Sequence, residues 1–343
     1  MRNMKEYEKH VMKINRNYPI NNLVKQYIRR KDKWRELKTV AEISGLSGCG
    51  KTTLMLDYFN DKKHFYFSFA GLEENVAENL FANKVSELTN QPIAGWEDAF
   101  TALSKKNRYI IFDDLTPVFS YKRFKNSFYE NMFCDFESRP LVFLITQPDN
   151  NLTELADSYD NINVNYFSIP EIMKLFPNIS KYIALSLAAV SGGIPKIFND
   201  YNEQMTLEDN ILAFLKPTSA FIEFMPYLMN QYFNKPETYN HILYAIANGN
   251  HKISEIGKFT GYAYNKCDNY ISALVSAGIV MIDKEKTTHG AEKTIYVFAN
   301  SYFMLWYKYI YSNRTEIAIG DDNVIRNIVK SINETCQVKS SLF

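Results

Sequence analysis

Residues 45–53 of this 343-residue chain read GLSGCGKTT and match the pattern G-x-x-x-x-G-K-[S/T] at every fixed position. Glycines at these positions let the backbone curl so that successive N–H groups point at one phosphate, with no Cβ in the way. A short apolar strand, residues 39–44, leads into the motif, and a helix beginning near Gly50 adds the positive end of its dipole. The stretch therefore predicts a P-loop that holds the phosphates of ATP or ADP with Mg²⁺.

The side chains of the loop have distinct expected roles. Lys51 is predicted to act in catalysis by reaching the β- and γ-phosphates, and the Thr52 hydroxyl to ligate Mg²⁺. The alternative, a glycine-rich turn in an unrelated fold, is disfavoured because a strand and a helix flank the motif where it needs them. The predicted nucleotide-contacting residues of the loop are Gly45, Ser47, Gly48, Cys49, Gly50, Lys51, Thr52 and Thr53.

A pair of acidic residues follows a strongly apolar strand downstream of the P-loop. Residues 108–112 read RYIIF and end in Asp113 and Asp114. In a P-loop fold an acid at this place supports the metal, and a second acid beside it orients the attacking water. We assign Asp113 to the metal and Asp114 to the water as the candidate base. A pair of aspartates that caps a turn is the alternative.

A further polar side chain follows the strand at residues 141–145, which reads LVFLI. Thr146 stands at its end and is a candidate to contact the γ-phosphate and report its loss. A purely structural threonine is the competing interpretation of the same position.

Apolar strands alternate with amphipathic helices over the first half of the chain, with a last strand expected at residues 164–169. This alternation predicts a mainly parallel sheet with helices on both faces. Helices dominate afterwards, one of them at residues 179–190. The predicted fold class is an α/β P-loop core (1–170), a helical lid (171–235), a winged helix-turn-helix (236–315) and a C-terminal tail (316–343).

The winged helix is predicted from three helices followed by two short strands, residues 279–283 and 294–298. Its third helix, residues 266–277, carries Lys266 and Asp268, whose charges nearly cancel. The lysines of the wing are likewise offset by acidic residues. Little net positive charge therefore remains to neutralise DNA phosphates. Contact with DNA remains open, and so does packing of this domain against the ATPase core or against a protein partner, including a second copy of the chain.

Composition excludes several classes of protein. The apolar fraction is 46%, the charged fraction 22% and the net charge +1, so no whole-protein basic field points to nucleic acid. No stretch approaches the roughly 18 apolar residues that span a bilayer, and the charged N-terminus has no apolar signal core. Cys49, inside the P-loop, favours a reducing compartment. We expect a cytoplasmic protein without membrane contact.

Several motifs together resemble the archaeal-type ATPase family, whose members are P-loop proteins of the AAA+ and STAND-related kind. They are KTTLMLDYF after the loop, IIFDD, SGGIPKIF, the segments ILYAIANG, SEIGKFTG and YISALVSAGIV, and FANSYFMLWYKYIY. The resemblance covers about residues 20–315 and implies an ATPase core, a lid and a winged helix in that order. Many such proteins continue into a nuclease-like domain, of which no motif is visible here.

The chain departs from that family at places that matter for turnover. The family usually has Asp-Glu where this chain has Asp113 and Asp114, and the shorter carboxylate implies slow hydrolysis. Between Arg139 and Arg314 there is no arginine, so Lys196 is the nearby substitute for a lid arginine and the last predicted nucleotide contact. Arg123 and Arg139 are candidates to act in a neighbouring subunit.

Two other functions fit parts of the same pattern. One is a non-hydrolysing module that holds ATP or ADP as a scaffold or DNA-binding regulator. The other is a nucleotide kinase, against which the arginine-free stretch argues. The aromatic residues between 302 and 311 have helical spacing and are expected in a core or an interface.

Overall fold

The computed structural model describes residues 40–106, 109–115, 118–132, 140–146, 160–286 and 292–340. It divides into two compact units that meet in the chain between Asn165 and Tyr166. Among the described residues, no helix combines the length and the apolar character needed to cross a bilayer.

The first unit alternates strands and helices. Its strands are β1 (Val40–Ser44), β2 (Phe65–Ser68), β3 (Tyr109–Asp113), β4 (Leu141–Ile145) and β5 (Asp160–Asn163). Its helices are α1 (Lys51–Phe59), α2 (Glu74–Thr89), α3 (Trp96–Lys106) and α4 (Lys122–Met132), with a 3₁₀ turn at Val118–Ser120.

The five strands form one sheet in the order β2-β3-β4-β1-β5, and every neighbouring pair is parallel. Strand β4 therefore lies between β1, which leads into the P-loop, and β3, which ends at Asp113. The carboxyl ends of parallel strands meet at one edge of a sheet. The P-loop, Asp113 and Thr146 consequently share that edge.

One face of the sheet is covered by an aromatic core. Phe65 and Phe67 of β2 pack there, and Phe112 of β3 joins them with rings of α2, α3 and α4 in edge-to-face contacts. Because side chains alternate along a strand, Tyr66 and Ser68 of β2 point to the opposite face. That opposite orientation brings Tyr66 to the site described below.

The last strand differs from the sequence-based prediction. A strand was expected at residues 164–169, but β5 is Asp160–Asn163, and Ile169 already begins a helix. Strand β5 lies at the edge of the sheet, and Ile162 is the one buried residue among its four, so a mostly polar sequence suffices. The apolar run after it packs without strand pairing, apart from the Val164 N–H, which donates to the Ser44 carbonyl at 2.8 Å.

The second unit is mainly helical. Its elements are α5 (Ile169–Leu175), α6 (Lys181–Ser191), a 3₁₀ helix (Pro195–Asp200), α7 (Leu207–Phe214), α8 (Ala220–Tyr232), α9 (Pro236–Ala247), α10 (Ile253–Thr260), α11 (Tyr264–Ser276), β6 (Val280–Lys286), β7 (Glu292–Phe298), α12 (Ser301–Leu305), a π-helix (Trp306–Ile310), a 3₁₀ turn (Tyr311–Asn313), α13 (Arg314–Ile319) and α14 (Asp322–Ser340).

Helices α9, α10 and α11 contact one another, and the antiparallel pair β6–β7 follows them. We call residues 236–298 the C-terminal module. The Tyr296 N–H of β7 donates to the His251 carbonyl at 2.8 Å, which fastens the hairpin to the start of α10. This arrangement matches the element order expected for a winged helix, whose identification stays a prediction.

The aromatic segment after β7 joins the parts of the second unit. Tyr302, 0% exposed, donates its hydroxyl to the Phe221 carbonyl of α8, and Trp306 donates its indole N–H to the Ile222 carbonyl. The Tyr307 hydroxyl donates to the Asn240 side chain of α9. The expectation that these rings lie in a core is confirmed. Residues 322–340, in the predicted tail, form a helix that packs against α6 and α7.

Candidate nucleotide-binding site

The loop between β1 and α1 adopts backbone angles that glycine alone takes readily. Gly45, Gly48 and Gly50 have φ values of 153°, 79° and 90°. A Cβ at Gly45 would lie 2.1 Å from the Val164 carbonyl oxygen, so only glycine fits. Gly50 is the N-cap of α1 and has no side chain that could accept a hydrogen bond. The backbone N–H groups of the first helical turn therefore point toward the loop without a side-chain cap.

Lys51 sits inside the loop rather than on its rim. Its side chain is buried, and its ammonium donates to the carbonyls of Gly45 at 2.6 Å and Leu46 at 3.1 Å. These bonds hold the loop in its curled form while keeping the charge beside it. Burial raises the pKa of the Cys49 thiol, against the opposing attraction of Lys51, so Cys49 remains a neutral thiol there.

Thr52 and Asp113 come together across the edge of the sheet. The Thr52 hydroxyl donates to Oδ2 of Asp113 at 2.6 Å, although 61 residues separate the two. A hydroxyl and a carboxylate are hard oxygen donors, and Mg²⁺ in nucleotide sites is held by one or two such groups together with phosphate oxygens. The residues present therefore fit the ion that the P-loop motif implies.

Tyr66 joins this pair from β2. Its phenol donates to the same Asp113 Oδ2 at 2.9 Å, and the Asp114 backbone N–H donates to Oδ1 at 2.9 Å. Both oxygens of the Asp113 carboxylate are thus held by donors. Burial, and then the negative charge of Asp113, raise the pKa of Tyr66, so the phenol stays protonated and able to donate.

Asp114 lies directly after β3 in a left-handed backbone conformation with φ of 51°. Aspartate is among the few non-glycine residues that adopt this region at modest cost. Burial and then repulsion by Asp113 raise the pKa of its carboxyl, whereas the attraction of Lys51 lowers it. Asp114 therefore lies within electrostatic reach of both Asp113 and Lys51, and its role toward a water stays a prediction.

Thr146 is fully buried at the same edge, where its hydroxyl donates to Oε1 of Glu42 at 2.5 Å. Glu42 lies in β1, is 1% exposed, and accepts a second hydrogen bond at Oε2 from the Asn161 amide at 2.7 Å. The Ser44 hydroxyl donates to Asn161 at 3.0 Å. A polar chain therefore runs from Thr146 through Glu42 and Asn161 to the residue before the P-loop.

The positively charged candidates outside the loop have other contacts. Lys196 lies in the second unit on the 3₁₀ helix, with its ammonium 5.0 Å from the centre of the Tyr227 ring, and its role toward nucleotide stays a prediction. Arg123 forms an ion pair with Glu78 at 2.9 Å, and Arg139 lies outside the described residues.

Two residues of the site were missed by sequence reasoning. Tyr66 lies in an aromatic run, HFYFSFA, where only the strand alternation could have set it apart from its neighbours. Glu42 was visible as a charge within the apolar strand TVAEIS, and a buried charge calls for partners. Their partners come from other strands, so the sequence could not name them.

The sequence has only distant similarity to a curated protein. No protein-family model matches the sequence. An uncharacterized protein of Methanocaldococcus jannaschii is 22% identical over 294 residues, which are 81% of this chain and 65% of the relative. The chain thus spans slightly less than two thirds of that relative's length.

Solved structures share the fold at lower identity. The Walker-type ATPase of Pyrococcus abyssi superposes with a TM-score of 0.55 at 12% identity, over 82% of this chain and 94% of that chain. The Orc1 protein of Aeropyrum pernix, solved in complex with DNA, gives a TM-score of 0.42 at 13% identity, over 84% and 88% of the two chains. A score at that level says nothing about DNA binding here.

The parallel sheet, the P-loop and the likeness to the Pyrococcus structure together define the class. This chain has the fold of a P-loop ATPase, with an α/β core followed by a mainly helical unit.

Proposed function

We propose that this chain binds ATP with Mg²⁺ and hydrolyses it to ADP and phosphate, and that the nucleotide state controls the helical second unit. The observation that carries the proposal is the convergence of Lys51, Thr52 and Asp113 at one edge of the sheet. The sequence spacing of Lys51 and Thr52 is that of a phosphate cradle, and the contact between Thr52 and Asp113 supports a Mg²⁺ site beside it. We further propose that the protein acts in the cytoplasm.

Each residue contributes a separate part of the chemistry. The loop N–H groups and Lys51 bind the β- and γ-phosphates and stabilise the charge that grows on them during transfer. Thr52, supported by Asp113, would hold Mg²⁺, which would neutralise negative charge on the phosphates. Asp114 orients a water and accepts its proton as the water oxygen bonds to the γ-phosphorus and the ADP oxygen leaves. Asp113 keeps Thr52 directed at the metal position.

The direct test compares steady-state ATP hydrolysis of the purified chain with that of Lys51→Ala, with Mg²⁺ present and nucleotide content assayed in both. We expect turnover in the parent and a loss of roughly 10²–10³-fold in Lys51→Ala, because a donor to the transferring phosphoryl group is removed. Lys62→Ala is the matched control, since Lys62 follows α1 and donates to the Tyr58 carbonyl away from the loop.

A second outcome would favour a different function. Nucleotide that copurifies without turnover would replace the enzyme with a nucleotide-bound scaffold. The contact of Thr146 with Glu42 favours this alternative, because a hydroxyl that donates to a carboxylate cannot donate to a phosphate at the same time. Absence of any nucleotide binding would overturn both functions.

For the C-terminal module we propose a protein partner rather than duplex DNA. The Lys284 ammonium pairs with Glu292 at 2.9 Å, and Lys252 pairs with Glu285 at 2.9 Å. Lys266 of α11 lies 3.8 Å from the centre of the Tyr262 ring. Binding to phosphates would require these cations to leave contacts within the module, so these three lysines contribute less to the counterion release that drives DNA binding.

The exposed apolar side chains of the module support the same choice. Tyr264 at the start of α11 is 62% exposed, and Ile282, opposite Tyr296 in the hairpin, is 55% exposed. Fluorescence anisotropy with a 30-base-pair duplex at 50 and 200 mM salt tests the choice, and light scattering tests self-association. We expect no salt-sensitive DNA binding, and a steep loss of affinity with salt would establish DNA as the partner.

A further inference from the structure

Among the described residues, Tyr66 is the hydrogen-bond donor to the Asp113 carboxylate that comes from outside the P-loop, helix α1 and the end of β3. Its hydroxyl and that of Thr52 both donate to Oδ2 of Asp113, at 2.9 and 2.6 Å. The Asp114 N–H restrains the other oxygen at 2.9 Å. The carboxylate is therefore fixed in rotation by three donors that arrive from β2, α1 and the chain after β3.

The position of Tyr66 in the fold explains how it reaches Asp113. Strand β2 pairs in parallel with β3, with Tyr66 opposite Ile111 and Ser68 opposite Asp113. Phe65 and Phe67 point into the aromatic core, so Tyr66 lies on the other face. The long phenol spans two residues along the strand and places its oxygen at the carboxylate. A phenylalanine would fill the same space but would leave Oδ2 with the Thr52 hydroxyl as its one side-chain donor among these contacts.

A carboxylate that supports a metal gives higher metal affinity when hydrogen bonds from neighbouring groups fix its orientation. Outer partners of this kind are worth roughly 10–100-fold in metal affinity or activity. Thr52 would hold the metal through an oxygen lone pair while its hydroxyl proton donates to Asp113, and the Tyr66 hydroxyl would keep the carboxylate in that orientation. Tyr66 has the chemistry and the distance for this task.

We propose that Tyr66 is a positioning residue that sets the Mg²⁺ dependence of nucleotide binding by holding the Asp113 carboxylate. The proposal rests on the proposed ATP and Mg²⁺ function of the P-loop site. It assigns to β2 a role in metal affinity that neither the P-loop motif nor the acidic pair contains.

The test measures equilibrium binding of a fluorescent ADP analogue to the full chain across a Mg²⁺ titration, and in EDTA. For Tyr66→Phe we expect the half-saturating Mg²⁺ concentration to rise about 10-fold, with affinity in EDTA unchanged within about twofold. The matched control is Tyr109→Phe on the neighbouring strand β3, whose ring packs 5.0 Å from that of Phe59, away from Asp113. It should leave both quantities at parent values.

A double-mutant cycle separates positioning from general damage to the fold. If Tyr66 acts through Asp113, adding Tyr66→Phe to Asp113→Asn should cause no further loss of Mg²⁺ dependence, whereas independent effects would add. Parent-like Mg²⁺ dependence in Tyr66→Phe, or additive losses in the cycle, would overturn the proposal. Parent binding that ignores Mg²⁺ would overturn the metal assignment itself, so the two failures are distinguishable.

Discussion

The P-loop site and the C-terminal module both contain lysines and carboxylates, but they arrange them differently. In the first unit, Lys51, Asp113 and Asp114 lie at the ends of different elements and influence one another at a single edge of the sheet. In the module, Lys284 pairs with Glu292 across the hairpin, and Lys252 with Glu285. The first arrangement concentrates charge where a charged ligand fits, and the second cancels charge locally.

The difference shows what a count of charged residues misses. In the sequence, both regions contain residues of both charges. Only the distances between the charged side chains in the structure distinguish a ligand site from a surface whose charges neutralise one another. Exposed ion pairs such as those of the hairpin contribute little to stability, about 0–1 kcal/mol each. Charges at the edge of the sheet lie in a partly buried setting, where their interactions with ligands are stronger. Four sets of substitutions test this contrast.

The largest expected effect is on turnover in Asp114→Asn. Asparagine also adopts the left-handed backbone conformation found at this position, so the fold should persist while the proton acceptor is lost. We expect hydrolysis to fall by roughly 10²–10⁴-fold with nucleotide affinity retained. Single-turnover hydrolysis and nucleotide binding measured together check this, and parent-like turnover would remove Asp114 from the mechanism.

Next in size is the contrast between Gly45→Ala and Gly50→Ala. At Gly45 the new Cβ would collide with the Val164 carbonyl, whereas no atom lies within 4 Å of the corresponding position at Gly50. Gly50→Ala should cost about 1–2 kcal/mol for its left-handed backbone. Gly45→Ala adds overpacking of about 1–3 kcal/mol. Urea unfolding of both variants measures the difference in the free energy of unfolding. Equal losses would show that the loop backbone shifts to accommodate the new Cβ at Gly45.

Thr146→Val is expected to have a moderate effect on stability. It removes the hydroxyl that donates to buried Glu42 and leaves a carboxylate oxygen with one donor fewer, at a cost of about 1–3 kcal/mol. Thr146→Ser keeps the hydroxyl and is the control. If Thr146→Val lowers turnover at unchanged unfolding free energy, the threonine contacts phosphate in the working protein instead of serving the buried network.

The smallest effect belongs to the module. Lys284→Ala removes one partner of an exposed ion pair and should change the free energy of unfolding by less than about 0.5 kcal/mol. The same variant should leave duplex DNA anisotropy unchanged. A marked drop in DNA affinity on this substitution would mean that the pair opens for phosphates, and the contrast between the two regions would fail.

The sequence by itself determined the phosphate cradle and the order of elements around it. The P-loop is local: its glycines and its flanking strand and helix all lie within residues 40–59, so the pattern alone is enough to predict it. The apolar strand before Asp113 and the core strand at 141–145 were equally readable, because strands buried on both faces are continuously apolar. Strand β5 was misplaced because an edge strand need not be apolar.

Only the tertiary structure decided which polar groups meet. The order β2-β3-β4-β1-β5 brings Tyr66 to Asp113 across 47 residues and Thr146 to Glu42 across 104. Strand order is set by crossover connections and long-range packing, which leave no local pattern in the sequence. For the same reason, the pairing of the module's lysines with its own carboxylates could not be read from their spacing.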